Sequence, residues 1–138
     1  MSQKKVLFVC MGNCVRSQMA EAIAKHLAAD VIAAESAGLN PLGFIDKTAI
    51  AVLSERSISV DGQYSKGLKS QRFEKPDLVV NMSGVPGAQV FGDHVFEDWP
   101  IRDPFGEDIP AHRDVRDDLL RRIAELAERL RGRSAGAG

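Results

Sequence analysis

The sequence predicts an α/β domain, an open parallel sheet of about four strands flanked by helices. Three observations carry that expectation. Short apolar, β-branched runs alternate with stretches of helical periodicity along the whole chain. The segments between successive strands are long enough for helical crossovers, which parallel pairing requires. No repeat, linker or shift in composition divides the 138 residues, so one domain over 1–131 is expected, with a small polar tail over 132–138 that should be disordered.

The elements follow in order. Lys4–Cys10 is apolar and β-branched after its two lysines, which suits a strand buried on both faces. Ala20, Ile23, Ala24 and Leu27 recur at helical spacing, predicting a helix over about 17–29. A second strand is expected over 31–36, ended by Ala37 and Gly38. Ile45, Ala49, Val52 and Leu53 then mark a helix before Ser57. Residues 61–70 are polar and predict a loop or short helix. Residues 77–82 form another buried-strand run, and 93–96 a shorter one. Residues 98–110 contain three prolines and one glycine and predict a loop of functional length. Val115, Leu119, Ile123, Leu126 and Leu130 mark the strongest helix. The six arginines of that last stretch (113, 116, 121, 122, 129 and 131) interleave with acids and predict a salt-bridged solvent face.

Composition excludes several classes of function. Hydrophobic residues make up 44% and charged residues 27%, with a net charge of −1, so nucleic acid is not an expected partner. The apolar run after Lys5 is too short for a signal core, and no stretch approaches a membrane span. Two cysteines separated by three residues make neither a disulfide framework nor a zinc site. Free thiols in the cytoplasm, no membrane partner and no metal are therefore expected.

In an open parallel sheet the ligand sits beyond the carboxyl ends of the strands. There the chain places Cys10-Met11-Gly12-Asn13-Cys14-Val15-Arg16-Ser17, a cysteine and an arginine separated by five residues, between a strand and a helix. Five residues can curl so that their backbone N–H groups converge on an oxyanion, with the positive end of the helix dipole behind them. Gly12 and Asn13 tolerate left-handed backbone. Arg16 can grip two oxygens at once, and Cys10 would lie beneath the bound phosphorus as nucleophile. Ser17 either donates to the sulfur or caps the helix. The bland alternatives are a buried strand-end thiol and a solvated arginine. Against the second, a cation in the first turn of a helix opposes the dipole.

An ester leaving group needs a proton donor, and Asp98, Asp103 and Asp108 compete for that role on the late loop. Pro104 biases Asp103 towards an extended conformation, and Phe105 is placed to bound one wall of a pocket. A turn-forming Asp-Pro is the ordinary alternative. His26, His94 and His112 are read as structural or exposed.

The run Cys10-Met-Gly12-Asn13-Cys-Val-Arg16-Ser17-Gln-Met-Ala-Glu21 resembles the N-terminal signature of the low-molecular-weight protein tyrosine phosphatases. The thioredoxin-coupled arsenate reductases share that signature and fold. Ser36-Ala37-Gly38 resembles the next family landmark, whose serine supports the loop asparagine, here Asn13. Asp103-Pro104 resembles the motif that carries the general acid. The resemblance implies catalysis by Cys10, Arg16 and Asp103, and phosphate binding by residues 11–17. It also implies a supporting role for Ser36 and no cofactor, and for Glu21 a role at the loop or at a monovalent cation, with a solvated helix residue as the equal alternative.

Three departures bear on substrate. Phe105-Gly106 follows Asp103-Pro104 where the phosphatases carry tyrosines, so one aromatic remains there. Met82 and Gln89 occupy the positions of the reductases' relay cysteines. Val15 precedes Arg16 where the family's backup cysteine stands, and Cys14 lies one residue earlier, so a protective Cys10–Cys14 disulfide would need a changed loop. The leading expectation is hydrolysis of a phosphomonoester, foremost phosphotyrosine on a protein or a small phosphoester, through a phosphocysteine. The second is arsenate reduction with an external thiol, since arsenate is a near-isostere of phosphate. The third is a non-catalytic phosphate-binding module.

Overall fold

The computed structural model describes residues 2–132. Four parallel strands form one sheet in the order β2-β1-β3-β4: β1 is Lys4–Cys10, β2 Ile32–Gly38, β3 Leu78–Asn81 and β4 Phe96–Asp98. β1 lies between two neighbours, which is why its last five residues are apolar and buried without alternation. Val6, Phe8 and Cys10 face the larger core with α1 (Arg16–Leu27), α2 (Lys47–Ser54) and α4 (Ile109–Leu130). Leu7 and Val9 face a smaller cluster with Ala37, Val79 and Phe91, closed by the one-turn α3 (Gly87–Val90) and a 3-10 turn at Leu68–Ser70. Among the described residues no helix is long and apolar enough to cross a membrane.

Several boundaries move, each for a physical reason. β2 does not end at Ser36: Ala37 and Gly38 pair with Val9 and Cys10, so the strand reaches the level of the loop after β1. The fourth strand is not 93–96. Residues 92–94 turn out of α3, with His94 N–H donating to Phe91 O at 2.9 Å, and the ladder with β3 begins at Phe96. The last helix starts six residues before Val115. The Asp108 side chain accepts from Ala111 N at 3.1 Å, and Pro110 sits in the first turn, where its missing N–H costs nothing. Arg116 is not on the solvent face. It is 5% exposed and donates to Val52 O at 2.9 Å and Glu55 Oε1 at 2.7 Å, fastening α4 to α2. The Glu55 carboxyl is held down to about 2 by its hydrogen bonds from Arg113 and Arg116. The expected disordered tail lies, from residue 133 on, outside the described residues.

Candidate active site

The loop after β1 is held open by its own carbonyls. Those of Cys10, Met11, Gly12 and Cys14 accept from the N–H groups of Leu39, Asn40, Leu42 and Asp46 at 2.8–3.1 Å. With its carbonyls engaged by the 39–46 segment, the loop can turn its N–H groups inward, as an oxyanion nest requires. α1 begins at Arg16 with no side-chain cap at its N-terminus, leaving first-turn donors for the same centre. Asn13 has φ 48°, the left-handed conformation that asparagine tolerates. Gly12 does not adopt it. A Cβ at Gly12 would instead lie 3.1 Å from Leu42 Cγ, so its glycine serves close packing.

Asn13 is the hub of a directional hydrogen-bond chain. Its Oδ1 accepts from Lys66 N at 2.8 Å and Gln18 Nε2 at 3.0 Å, which fixes the amide orientation. Its Nδ2 donates to Ser36 Oγ at 3.1 Å and Ser17 Oγ at 2.7 Å. Ser36 passes its own hydrogen to Glu21 Oε1 at 2.6 Å. Ser17, having accepted from Asn13, has its hydrogen left for Cys10 Sγ at 2.9 Å, and Asn13 N–H adds a second donor at 3.3 Å. Both sulfur contacts survive ionisation of the thiol, as a nucleophile needs. Ser17 is therefore a donor to the sulfur and not a helix cap. Glu21 is buried, with Lys25 Nζ at 2.6 Å on its other oxygen. It acts on the loop through Ser36, and its carboxylate has an ammonium partner.

Arg16 is 6% exposed. Its Nη1 donates to the carbonyls of Met82 and Ile101, and Nη2 lies 3.6 Å from Asp103 Oδ2. Nε is buried with no partner, an orphan donor that an oxyanion oxygen would satisfy. The loops after β3 and β4 thus aim the guanidinium across a cleft of about 110 Å³, lined by Cys10, Gly12, Arg16, Asp103, Leu42 and Phe105.

Of the three candidate carboxylates only Asp103 reaches the cleft. Its side chain is 49% exposed, and Oδ1 accepts from Phe105 N at 3.0 Å. Asp98 is occupied by Asn81 Nδ2 at 2.8 Å and Gly87 N at 3.1 Å, and Asp108 caps α4. His112 is buried, whereas His94 is exposed. The Cys14 thiol is buried and pushed up to about 11, chiefly by burial and then by the negative charges of Cys10, Asp103 and Asp46. Cys10 and Cys14 are both free. Met82 is buried and serves through its backbone carbonyl.

The sequence left one aromatic at the mouth, but folding supplies a second. The Phe44 ring lies 6.2 Å from that of Phe105, both half exposed. Phe44, Asn40 and Leu42 were missed because 58 or more residues separate them from Asp103 and Phe105. Their only local signal was the Asn40-Pro41 turn.

Gly38 offers a sharp test of how closely β2 supports the loop. A Cβ there would lie 2.8 Å from Met11 O and 2.9 Å from Asn13 N, both backbone atoms that cannot yield without moving the loop. Gly38→Ala should cost about 1–3 kcal/mol in thermal or urea denaturation and weaken phosphate affinity at least tenfold. Unchanged phosphate affinity would mean that the loop does not depend on this contact.

The low-molecular-weight phosphotyrosine protein phosphatase family model matches residues 5–135. A glutaredoxin arsenate reductase from Synechocystis sp. is 37% identical over 131 residues, covering 92% of this chain and 98% of the relative. A solved arsenate reductase in the phosphate-binding state superposes with a TM-score of 0.83 at 36% identity, over 93% of this chain and 99% of that one. The YwlE arginine phosphatase from Geobacillus stearothermophilus gives 0.82 at 30% identity, over 94% of each chain. With a family match over nearly its whole length and these relatives covered almost end to end, the chain belongs to the low-molecular-weight phosphotyrosine protein phosphatase family.

Proposed function

We propose that this protein hydrolyses phosphomonoesters, with aryl esters such as phosphotyrosine as the leading class. The observation that carries the proposal is the Asp103 carboxylate at the cleft mouth, 3.6 Å from the Arg16 guanidinium and beside the Phe105–Phe44 pair. Cys10 Sγ attacks phosphorus as the P–O bond to the leaving group breaks, and Asp103 gives its proton to the departing oxygen. Arg16 and the loop N–H groups hold the equatorial oxygens. Asp103, now a carboxylate, takes a proton from water as that water attacks the phosphocysteine, releasing phosphate and restoring the thiolate and the acid. Two free thiols suit a reducing compartment such as the cytoplasm.

Asp103→Asn tests the acid. With poor leaving groups such as phenol the rate should fall by about 10²–10⁴, and far less with dinitrophenol, which departs without a proton. An equal loss across leaving groups would remove Asp103 from this role.

Arsenate reduction is the second reading, supported by the arsenate reductases among the relatives. Cys10 Sγ would attack arsenic and displace water. An external thiol would then attack the sulfur, so that arsenite leaves with the electron pair and a mixed disulfide remains. Burial, followed by the negative charges around it, holds the Cys14 thiol up to about 11, which disfavours it against an external thiol as the resolving nucleophile at neutral pH. Cys14→Ser should leave aryl phosphate turnover, and any thiol-coupled arsenate turnover, within about threefold of the parent. Loss of arsenate turnover alone would assign Cys14 the resolving role.

A further inference from the structure

We propose that His112 is a positioning residue that locks the loop carrying Asp103 onto the phosphate loop through Asp46; its catalytic part rests on the hydrolase reading above. His112 lies in the first turn of α4 and is 1% exposed. Its ring faces two oxygen atoms from different segments. Nδ1 is 2.9 Å from the carbonyl oxygen of Asp108, the residue that ends the acid loop and caps α4. Nε2 is 3.2 Å from Asp46 Oδ2, out of line for a hydrogen bond but within ion-pair range whenever the imidazole is protonated.

Asp46 joins three things. Its Oδ2 caps α2 by accepting from Ala49 N at 3.1 Å, its N–H donates to Cys14 O at 2.9 Å, and its carboxylate faces His112. A short path therefore runs from the acid loop through Asp108 O, the imidazole and the Asp46 carboxylate to the phosphate-loop backbone. The acid loop is otherwise held by the Arg16 Nη1–Ile101 O hydrogen bond and, at its tip, by the 3.6 Å Asp103–Arg16 contact and the half-exposed Phe105–Phe44 pair. A half-exposed acid on a loop needs a fixed base to stay within reach of a leaving group, and the buried imidazole supplies one.

Three variants separate this from a mere core-packing role. Asp46→Asn keeps a good helix cap but removes the charge facing His112. His112→Ala removes both ring contacts, and His112→Gln restores a donor near the ε position. Amide hydrogen exchange across 99–108 should rise about fivefold or more in Asp46→Asn and His112→Ala and stay near the parent in His112→Gln. No hydrogen bond or ion pair joins Asp46 directly to 99–108 among the described residues, and the two His112 variants decide whether a change there passes through the imidazole. In activity, Asp46→Asn and His112→Ala should lose about tenfold or more on phenyl phosphate and less than about threefold on dinitrophenyl phosphate, with His112→Gln recovering most of the loss. Unchanged exchange over 99–108 in both variants overturns the lock. Uniform loss across leaving groups overturns its catalytic part. A parent protein that turns over no aryl phosphate would remove the hydrolase reading, and the exchange measurement would still decide the lock.

Discussion

Replacing Cys10 by serine is expected to lower aryl phosphate turnover by about 10⁴-fold or more while leaving oxyanion binding in place. A serine hydroxyl can still accept from Ser17 and from Asn13 N–H as the thiol does, and the loop owes its shape mainly to the 39–46 segment and the bonds of the Asn13 side chain. Serine lacks a nearby base in this site: Ser17 donates towards the position, and Asp103 is committed to the leaving-group side near Arg16. Phosphate or vanadate titration by calorimetry should therefore give affinities within about tenfold of the parent, with turnover lost. Substantial residual activity in Cys10→Ser would mean that the sulfur is not the attacking atom.

Arg16→Ala should remove binding and turnover together, with a loss of about 10³–10⁵ in kcat/KM, the range seen when an arginine stabilising a transferring phosphoryl group is deleted. Two effects add. The forked donor with an unpaired buried Nε disappears, and the carbonyls of Met82 and Ile101 lose their partner, leaving two buried acceptors unpaired. Arg16→Lys separates them, because the charge stays but a point ammonium cannot hold both carbonyls and both oxyanion oxygens. It should recover some phosphate affinity and little turnover. If Arg16→Lys were fully active, the two-pronged grip would have no part in catalysis.

The part of this site that was legible in the sequence is the part built from consecutive residues. Cys10 to Ser17 could be read as a unit because one strand end and one helix start place them, and Asp103-Pro104 carried its own conformational bias. Ser36 and Glu21 became legible only by resemblance, and folding then gave their reason: a carboxylate, a serine, an amide and a second serine in line towards the sulfur. Phe44, Gln18, Lys66 and the carbonyl-binding segment 39–46 had no local signature, since each acts through tertiary contacts. In the fold, the strand and helix types were right, and the errors lay where a neighbour overrides the local pattern. β4 is placed by its ladder with β3, and Arg116 is drawn inward by Val52 O and Glu55. The start of α4 was missed for a different reason, because a cap and a first-turn proline look like loop chemistry until the helix behind them is known.

The central claim is that Cys10 carries the phosphoryl group between substrate and water. Rapid-quench turnover of dinitrophenyl phosphate, followed by intact-protein and peptide mass spectrometry, measures it directly. The account predicts a burst of dinitrophenol equal to the enzyme present and one phosphoryl group on the peptide containing Cys10. Thiol-dependent turnover of arsenate with neither a burst nor a phosphorylated Cys10 peptide would contradict it.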